Sequence, residues 1–570
     1  AYFIFKHNGT KFVWAGSQTF VIEDDKILSE KVEVTIYLES VDTLTGETSI
    51  DSIYHPGLSM YYSNAKKHLS IYRKEEGLSK TPFFDSYHRI DLYVEELNWK
   101  IGEDFIDMKS IQQKGIESRA YFESVNLFSR ARYEKLQGLD RSNPVYEVFR
   151  FTEKIGFNEF YAEDFAQFLN MDKSSTIAYL MNLASKGFLL YDTDENYVIV
   201  KENVRTYVLA YKGDSDYDVI GFSSSTNGQI PNASLDLRNN DIVLQGVNIV
   251  HLSDSQDVKI FPNHGRIELK KNRDFVFDGK IMAGLFDLYA HKCYFSYDKF
   301  ELELSSIDSL SFSVQAFEEN EYGEKPLVRV KTVIEDLKGN ILIDHPNNKS
   351  GRENFPEYPI LNSKSRSYVY YEKASIFNKV YSRDKFFYRL ESFTIDSLDD
   401  FKTEGLEFEG YLASAGIFAD IEEPLKVQKD YSLGLTTTTG PGGYGIYGGK
   451  GRYNDTIQLS NAGLRGSGNL QFLTSTSYSD DFIFLPDSTN AYLTSYVIAE
   501  KKSGVEYPGV SGNNVKMHWE PYHDLMEVNT TKGKEPFEMY DKEANMTGLL
   551  SLSSKELQGD GEIVIKNAEM

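Results

Sequence analysis

A single cysteine, Cys293, stands in 570 residues, so the chain can form no internal disulfide and no cysteine metal cage. Its neighbours between Tyr289 and Phe300 are largely aromatic, a setting for a small buried hydrophobe rather than a nucleophile. Tryptophan is nearly as rare, with three residues. No apolar run reaches the ~18 residues a membrane-spanning helix needs. Bases are outnumbered, 61 against 86 acids, and the formal charge of −25 repels nucleic acid and anionic lipid head groups unless the bases are segregated. The chain begins Ala1-Tyr2-Phe3-Ile4-Phe5 and ends Gly561-Glu562-Ile563-Val564-Ile565-Lys566, both strand-like, which reads as a fragment of a longer protein.

Tyrosine and phenylalanine are abundant, at 39 and 37 residues. Flat rings suit half-buried pleated surfaces, so this composition predicts a β-dominated chain. Several phrases occur twice. Asp298-Lys299-Phe300 with Ile307-Asp308-Ser309-Leu310 returns as Asp384-Lys385-Phe386 with Ile395-Asp396-Ser397-Leu398. Phe277-Asp278-Gly279-Lys280-Ile281 has its counterpart in Phe408-Glu409-Gly410-Tyr411-Leu412, and Leu464 to Leu470 in Leu557 to Ile563. Repetition of strand-forming phrases predicts stacked β units, antiparallel or solenoid-like, each burying its apolar face on a neighbour.

The organisation expected along the chain has five parts. Residues 1–140 form a β-rich region, with Lys31 to Leu38 alternating as a half-buried strand. A hairpin runs through 58–62 and 68–72, and a short helical pattern through Ala120 to Leu136. Residues 141–205 change period. Asn143-Pro144 opens a helix, further helices cover about 162–169 and 174–185, and a hairpin follows at 188–200, so residues 145–202 look like a winged-helix module. Residues 206–320 return to β, 321–383 read as an insertion or link around the polar stretch Asp344 to Gly351, and 384–570 resume the repeats. Thr436 to Gly451 reads as an exposed glycine-rich loop.

No catalytic or cofactor motif emerges. The winged-helix-like segment would place Lys173, Ser174, Ser175, Thr176, Asn182 and Lys186 on or near a groove-entering helix. Yet residues 157–202 carry eight acids and three bases, and its hairpin tip holds Asp192, Asp194 and Glu195 where phosphate contact wants Lys or Arg. A packing or protein-contact role is expected instead. The glycine-rich stretch lacks the Gly-Lys-Ser/Thr ending of a P-loop. His518 and His523 are five residues apart with Pro521 between, and in a strand they would point to opposite faces, so no metal is expected there. Asp214, Asp216 and Asp218 alternate as in a calcium loop, but Val219 stands where such a loop needs glycine and Ser225 where it needs glutamate. The expectation is a chain without enzymatic activity, cofactor or metal.

Strands of the form apolar-x-Gly-x-apolar with Asp/Asn turns, such as Asn239 to Ile249, resemble those of OstA-type lipopolysaccharide-transport proteins and AsmA-type lipid-transfer bridges. The likeness covers residues 232–315 and 384–570; the winged-helix-like insertion departs from both patterns. The acidic, Tyr/Phe/Asn-rich chain also resembles large surface proteins of Bacteroidota. The resemblance implies a bacterial envelope scaffold, periplasmic or associated with the outer membrane, whose partners are envelope proteins or lipid acyl chains, not nucleic acid. It also implies a possible apolar groove, whose residues would be Phe275, Phe277, Ile281, Leu285, Phe408 and Leu412. Whether these residues close a core or line an open trough separates a structural scaffold from a lipid-carrying groove. Exposed tyrosine rows would favour a third reading, a carbohydrate-contacting surface.

Overall fold

The computed structural model describes residues 1–41, 46–74, 77–110, 117–138, 142–400, 405–533 and 535–566. It is mainly β, 51 % strand and 13 % helix, in antiparallel sheets with five α-helices. The expected boundary at 140/141 lies outside the described residues. Two compact units are present, and neither is continuous in sequence. The first comprises residues 1–307, 339–362 and 395–400, the second 308–338, 363–394 and 401–570.

In the first unit, strand Thr10–Gly16 pairs with Lys26–Val41, which pairs with Thr48–Ser63, which pairs with His68–Tyr72, all antiparallel. Alternation decides the faces: Val32, Val34, Ile36 and Leu38 are buried, while Glu33, Thr35 and Tyr37 lie on the opposite, half-exposed face. Further along, strand Phe275–Ala283 pairs with Phe286–Ser296. The Phe275 ring stacks on Phe295 at 4.7 Å and meets Phe222 edge-on at 5.5 Å, a core of interlocked rings.

The helices lie between two stretches of this sheet: α1 Arg130–Gln137, α2 Pro144–Ile155, α3 Ala162–Leu169, α4 Lys173–Ser185 and α5 Glu202–Lys212. As Asn143-Pro144 predicts, the Asn143 side chain caps α2 by accepting from Val145 N at 2.9 Å. A three-stranded sheet accompanies the helices, with Tyr197–Val200 between Glu159–Tyr161 and Leu189–Asp192. Phe151, Phe165, Leu180, Phe188 and Val204 fill their common core.

In the second unit, strands Gly451–Ser460, Gly463–Phe472, Ser475–Phe484, Thr489–Ile498, Val510–Glu520, Leu525–Thr530 and Ala544–Leu552 pair antiparallel in succession. Leu470, Phe482, Leu493, Val515, Trp519 and Leu550 are buried on one face.

Several local expectations change. Residues 118–124 are a strand and the helix begins only at Arg130, because the β-pairing partners 90–93 and 221–226 claim Ala120 to Glu123. The chain does not return to β at 206; α5 continues to Lys212 and ends on Gly213 in the left-handed region. The glycine-rich stretch is a pinned hairpin: Tyr444–Ile446 pairs with the strand beginning at Gly451. Its Tyr447 is buried, with the hydroxyl donating toward the carbonyls of Leu485 and Ser488 at 2.8 Å each. The polar stretch at 344–351 is anchored too, since Asn348 Nδ2 donates to both oxygens of buried Asp344. The glycines of one repeated phrase have a shared reason: a Cβ at Gly279 would collide with the carbonyl of Phe261, and one at Gly410 with that of Arg389.

Candidate interaction site

Three charged contacts seat the helices and the acidic hairpin on the β wall of the first unit. Arg132 on α1 forks onto the Glu123 carboxylate with its Nη1 at 2.9 and 2.8 Å, while its Nη2 donates to the carbonyl of Lys186 at 3.1 Å. Tyr93 donates to the same carboxylate at 2.9 Å. Burial is the largest single influence on Arg132 and opposes its charge, but Glu123, Tyr207 and Tyr93 together outweigh it and raise the pKa of the guanidinium. Lys201, just before α5, donates to Asp91 at 3.0 and 3.3 Å and lies 3.4 Å above the centre of the Phe84 ring. At the hairpin tip Lys31 donates to Thr193 at 2.8 Å and to Asp194 at 2.9 Å, and Gln18 donates to the other Asp194 oxygen at 2.7 Å. The acids expected to repel phosphate therefore serve, in part, as a latch within the chain.

Burial dominates the Asp91–Lys201 pair. It pushes the carboxyl up to about 6 against the pull of Lys201, and it lowers the lysine. A carboxyl raised on folding binds more protons folded than unfolded across this window, so its contribution to stability falls as pH rises from about 4 to 6. Replacing both groups (Asp91→Asn with Lys201→Met) removes that contribution. The stability difference between the double variant and wild type should shift toward the variant from pH 4 to 6 and level off above about 7, read by urea unfolding at each pH. A flat difference would show that Asp91 titrates as an ordinary carboxyl.

Between the hairpin and the wall lies a cleft of about 590 Å³, lined by Trp14, Glu33 and Tyr54 on one side and Asp192, Tyr197 and Ile199 on the other. The strand registers explain the wall: Trp14 pairs with Thr35, Thr35 with Tyr54, and Tyr54 with Phe84, one row across four strands. The Tyr54 hydroxyl is held by Glu33; burial first, then that carboxylate, raises its pKa far above the usual phenol.

Of the six residues expected along a groove, Phe275, Phe277, Ile281, Phe408 and Leu412 are 3 % exposed or less and Leu285 is half-buried. Protein already covers the first five, so they offer no free surface to an acyl chain in this conformation. Burial likewise pushes the Cys293 thiol up to about 12, which makes it inert. Among the acids weighed for calcium, Asp216 accepts from Lys349 N and Ser350 N at 2.9 Å each, and buried Asp218 accepts from Ser124 and Tyr297 at 2.7 and 2.9 Å. Their oxygens are occupied by protein groups. His518 and His523 do not diverge as expected: the strand ends at Glu520, and the turn 521–523 brings both rings to the Glu520 carboxylate, at 3.5 and 3.1 Å. Among the described residues no group of three or more His, Cys, Asp or Glu could hold a metal ion.

Of the residues that build this site, the sequence pattern singled out the hairpin acids Asp192 and Asp194 and the Lys186 whose carbonyl meets Arg132, but not Arg132, Glu123, Lys201, Trp14 or Tyr54. For the rest, the one available signal was Asp91, an acid between Ile90 and Leu92 in a short strand, where alternation alone gives no reason for a charge. No family model matches the chain, and no curated protein shows significant similarity to it.

Proposed function

We propose that the chain is a non-enzymatic interaction scaffold of a bacterial cell envelope, with repeated β units and an embedded winged-helix-like module that contacts protein rather than nucleic acid. The carrying observation is the burial of the repeated apolar stripe: Phe275, Phe277 and Ile281 complete their packing within the protein, so the scaffold needs no lipid to cover them. The order helix, strand, two helices, hairpin over residues 144–200 supports the winged-helix reading. The exposed face of α4 argues against DNA, because Lys173 is paired with Glu163 at 2.6 Å and the adjoining hairpin is acidic.

A second reading, a carbohydrate-contacting surface, draws on the outer face of the second unit. The registers line up Asn454, Asn469, Tyr478, Ser495 and Asn513 in one row, and Tyr492, Lys516 and Asn529 in another. Tyr478 and Tyr492 are exposed, and Tyr492 lines a shallow depression of about 580 Å³. Rings flanked by planar amides can stack on a sugar and hydrogen-bond its hydroxyls. Native mass spectrometry of the purified chain, with extraction for lipid and saccharide, tests both readings. The scaffold reading expects a lipid-free mass; co-purifying phospholipid or lipopolysaccharide would overturn it in favour of a lipid groove. A bound saccharide lost on Tyr478→Ala and Tyr492→Ala would select the second reading.

A further inference from the structure

We infer that the cleft between the acidic hairpin and the first β wall binds an arginine side chain presented on an extended segment of a partner protein. The cleft combines free ring surface with uncompensated negative charge. Its two basic groups are engaged elsewhere, Lys31 with Asp194 at 2.9 Å and the Ala1 ammonium with the carbonyl of Ser17 at 2.9 Å, which leaves Glu33 and Asp192 as carboxylates without an ion-pair partner among the cleft residues. Trp14 and Tyr54 are half-buried and enter no ring–ring or ring–cation contact among the described residues; the Trp14 indole lies against Gly16, where a Cβ would collide with it, which leaves its remaining surface to the cleft. A half-desolvated cleft of this composition favours a cation, since a ring face and a carboxylate both attract one and desolvation strengthens both.

The fold itself supplies a second, independent observation. Phe84 shares a cross-strand row with Trp14 and Tyr54, and it carries the Lys201 ammonium 3.4 Å above its ring while its next partner in the row, Asp91, holds the charge. The wall thus already binds one cation by ring plus carboxylate. At the other end of the same row Trp14 and Tyr54 stand beside Glu33 with no such occupant among the described residues. Arginine suits this site better than lysine, because a planar guanidinium stacks on a ring and forks onto a carboxylate together. A volume of about 590 Å³ exceeds one guanidinium, and the flanking backbone of an extended segment would fill the remainder. An anionic ligand would be repelled by the two carboxylates, and a neutral one would gain hydrogen bonds but no charge attraction.

The inference rests on the reading of the chain as an interaction scaffold, but it fails separately, because lipid in the mass spectrum would sink that reading and leave a peptide titration untouched. Tryptophan fluorescence provides the readout. Trp99 and Trp519 are buried at 2 % and 0 % exposure, so of the three tryptophans only Trp14 responds directly to an occupant of the cleft. The probe is the capped peptide Gly-Ala-Arg-Ala-Gly, with its citrulline counterpart as a neutral match in shape. The arginine peptide should produce a saturable change, weakened about tenfold or more by citrulline and about fivefold by Glu33→Gln, and reduced at high salt. Circular dichroism of Glu33→Gln and the milder variant Asp192→Asn confirm that weakening is not unfolding. Equal affinity for the arginine and citrulline peptides, no saturation with folded wild type, or a response to neutral maltooligosaccharide alone would each overturn the assignment.

Discussion

Truncating Phe275 to alanine should destabilise the first unit by about 3–5 kcal/mol, the usual range for emptying an aromatic site that cannot collapse. The ring is wholly buried, stacked on Phe295 and met edge-on by Phe222, and both neighbours sit on paired strands with little freedom to close the void. Tyr289, on the partner strand but 48 % exposed, is the matched control, and its alanine variant should stay within about 0.5 kcal/mol. With two compact units, unfolding need not be two-state, so the comparison is made on the urea transition followed by hydrogen exchange at residues 275–296. The result bears on function. If Phe275 lined an open trough, its loss would leave stability nearly unchanged and reduce co-purifying lipid instead. A change below about 1 kcal/mol would count against the closed core and reopen the groove.

How much of this was legible beforehand depended on whether the deciding force was local. The cap at Asn143, the helices at 162–169 and 173–185, and the hairpin 58–72 are set by neighbours within a few residues, and spacing and turn residues read them well. The period-two face expected at Phe275, Phe277, Gly279, Ile281, Ala283 and Leu285 was legible for the same reason as far as Ala283, where the strand ends. Ala120 to Leu136 was not, because its first residues have helical spacing but are taken by strands some 30 and 100 positions away. The glycine-rich hairpin is held by Tyr447 hydrogen bonds to residues about 40 positions on, which no local pattern carries. The interaction site lies furthest from the sequence: its ion pairs join residues 9, 110 and 163 positions apart. Charge counting did register that the hairpin acids suit no phosphate, although the bases that meet some of them lie in another region.

The seat of the helical module rests most heavily on Arg132, and Arg132→Ala should cost about 3 kcal/mol, localised to helices α1 to α5. The reasoning concerns what remains behind. Glu123 has a side chain 8 % exposed and keeps only the Tyr93 hydroxyl once the fork is gone, so a carboxylate stays buried without its counter-charge. The carbonyl of Lys186 loses a donor at the same time. Pairing Arg132→Met with Glu123→Gln removes both charges and should recover most of the loss, since a buried ion pair rarely stabilises beyond an apolar pair of similar volume. Hydrogen exchange separates this outcome from general loosening: amides of α2, α4 and α5 should exchange faster in Arg132→Ala, while those of strands 26–41 and 48–63 stay protected. Equal loss of protection in strands and helices would mean that the module and the wall unfold together, and that Arg132 supports the whole unit. Unchanged exchange in both would assign the seat to the Lys201–Asp91 and Lys31–Asp194 contacts instead. Selective release of the helices would also leave the acidic hairpin with its Lys31 and Gln18 contacts alone, so the arginine peptide should bind the variant more weakly even though no cleft residue has changed.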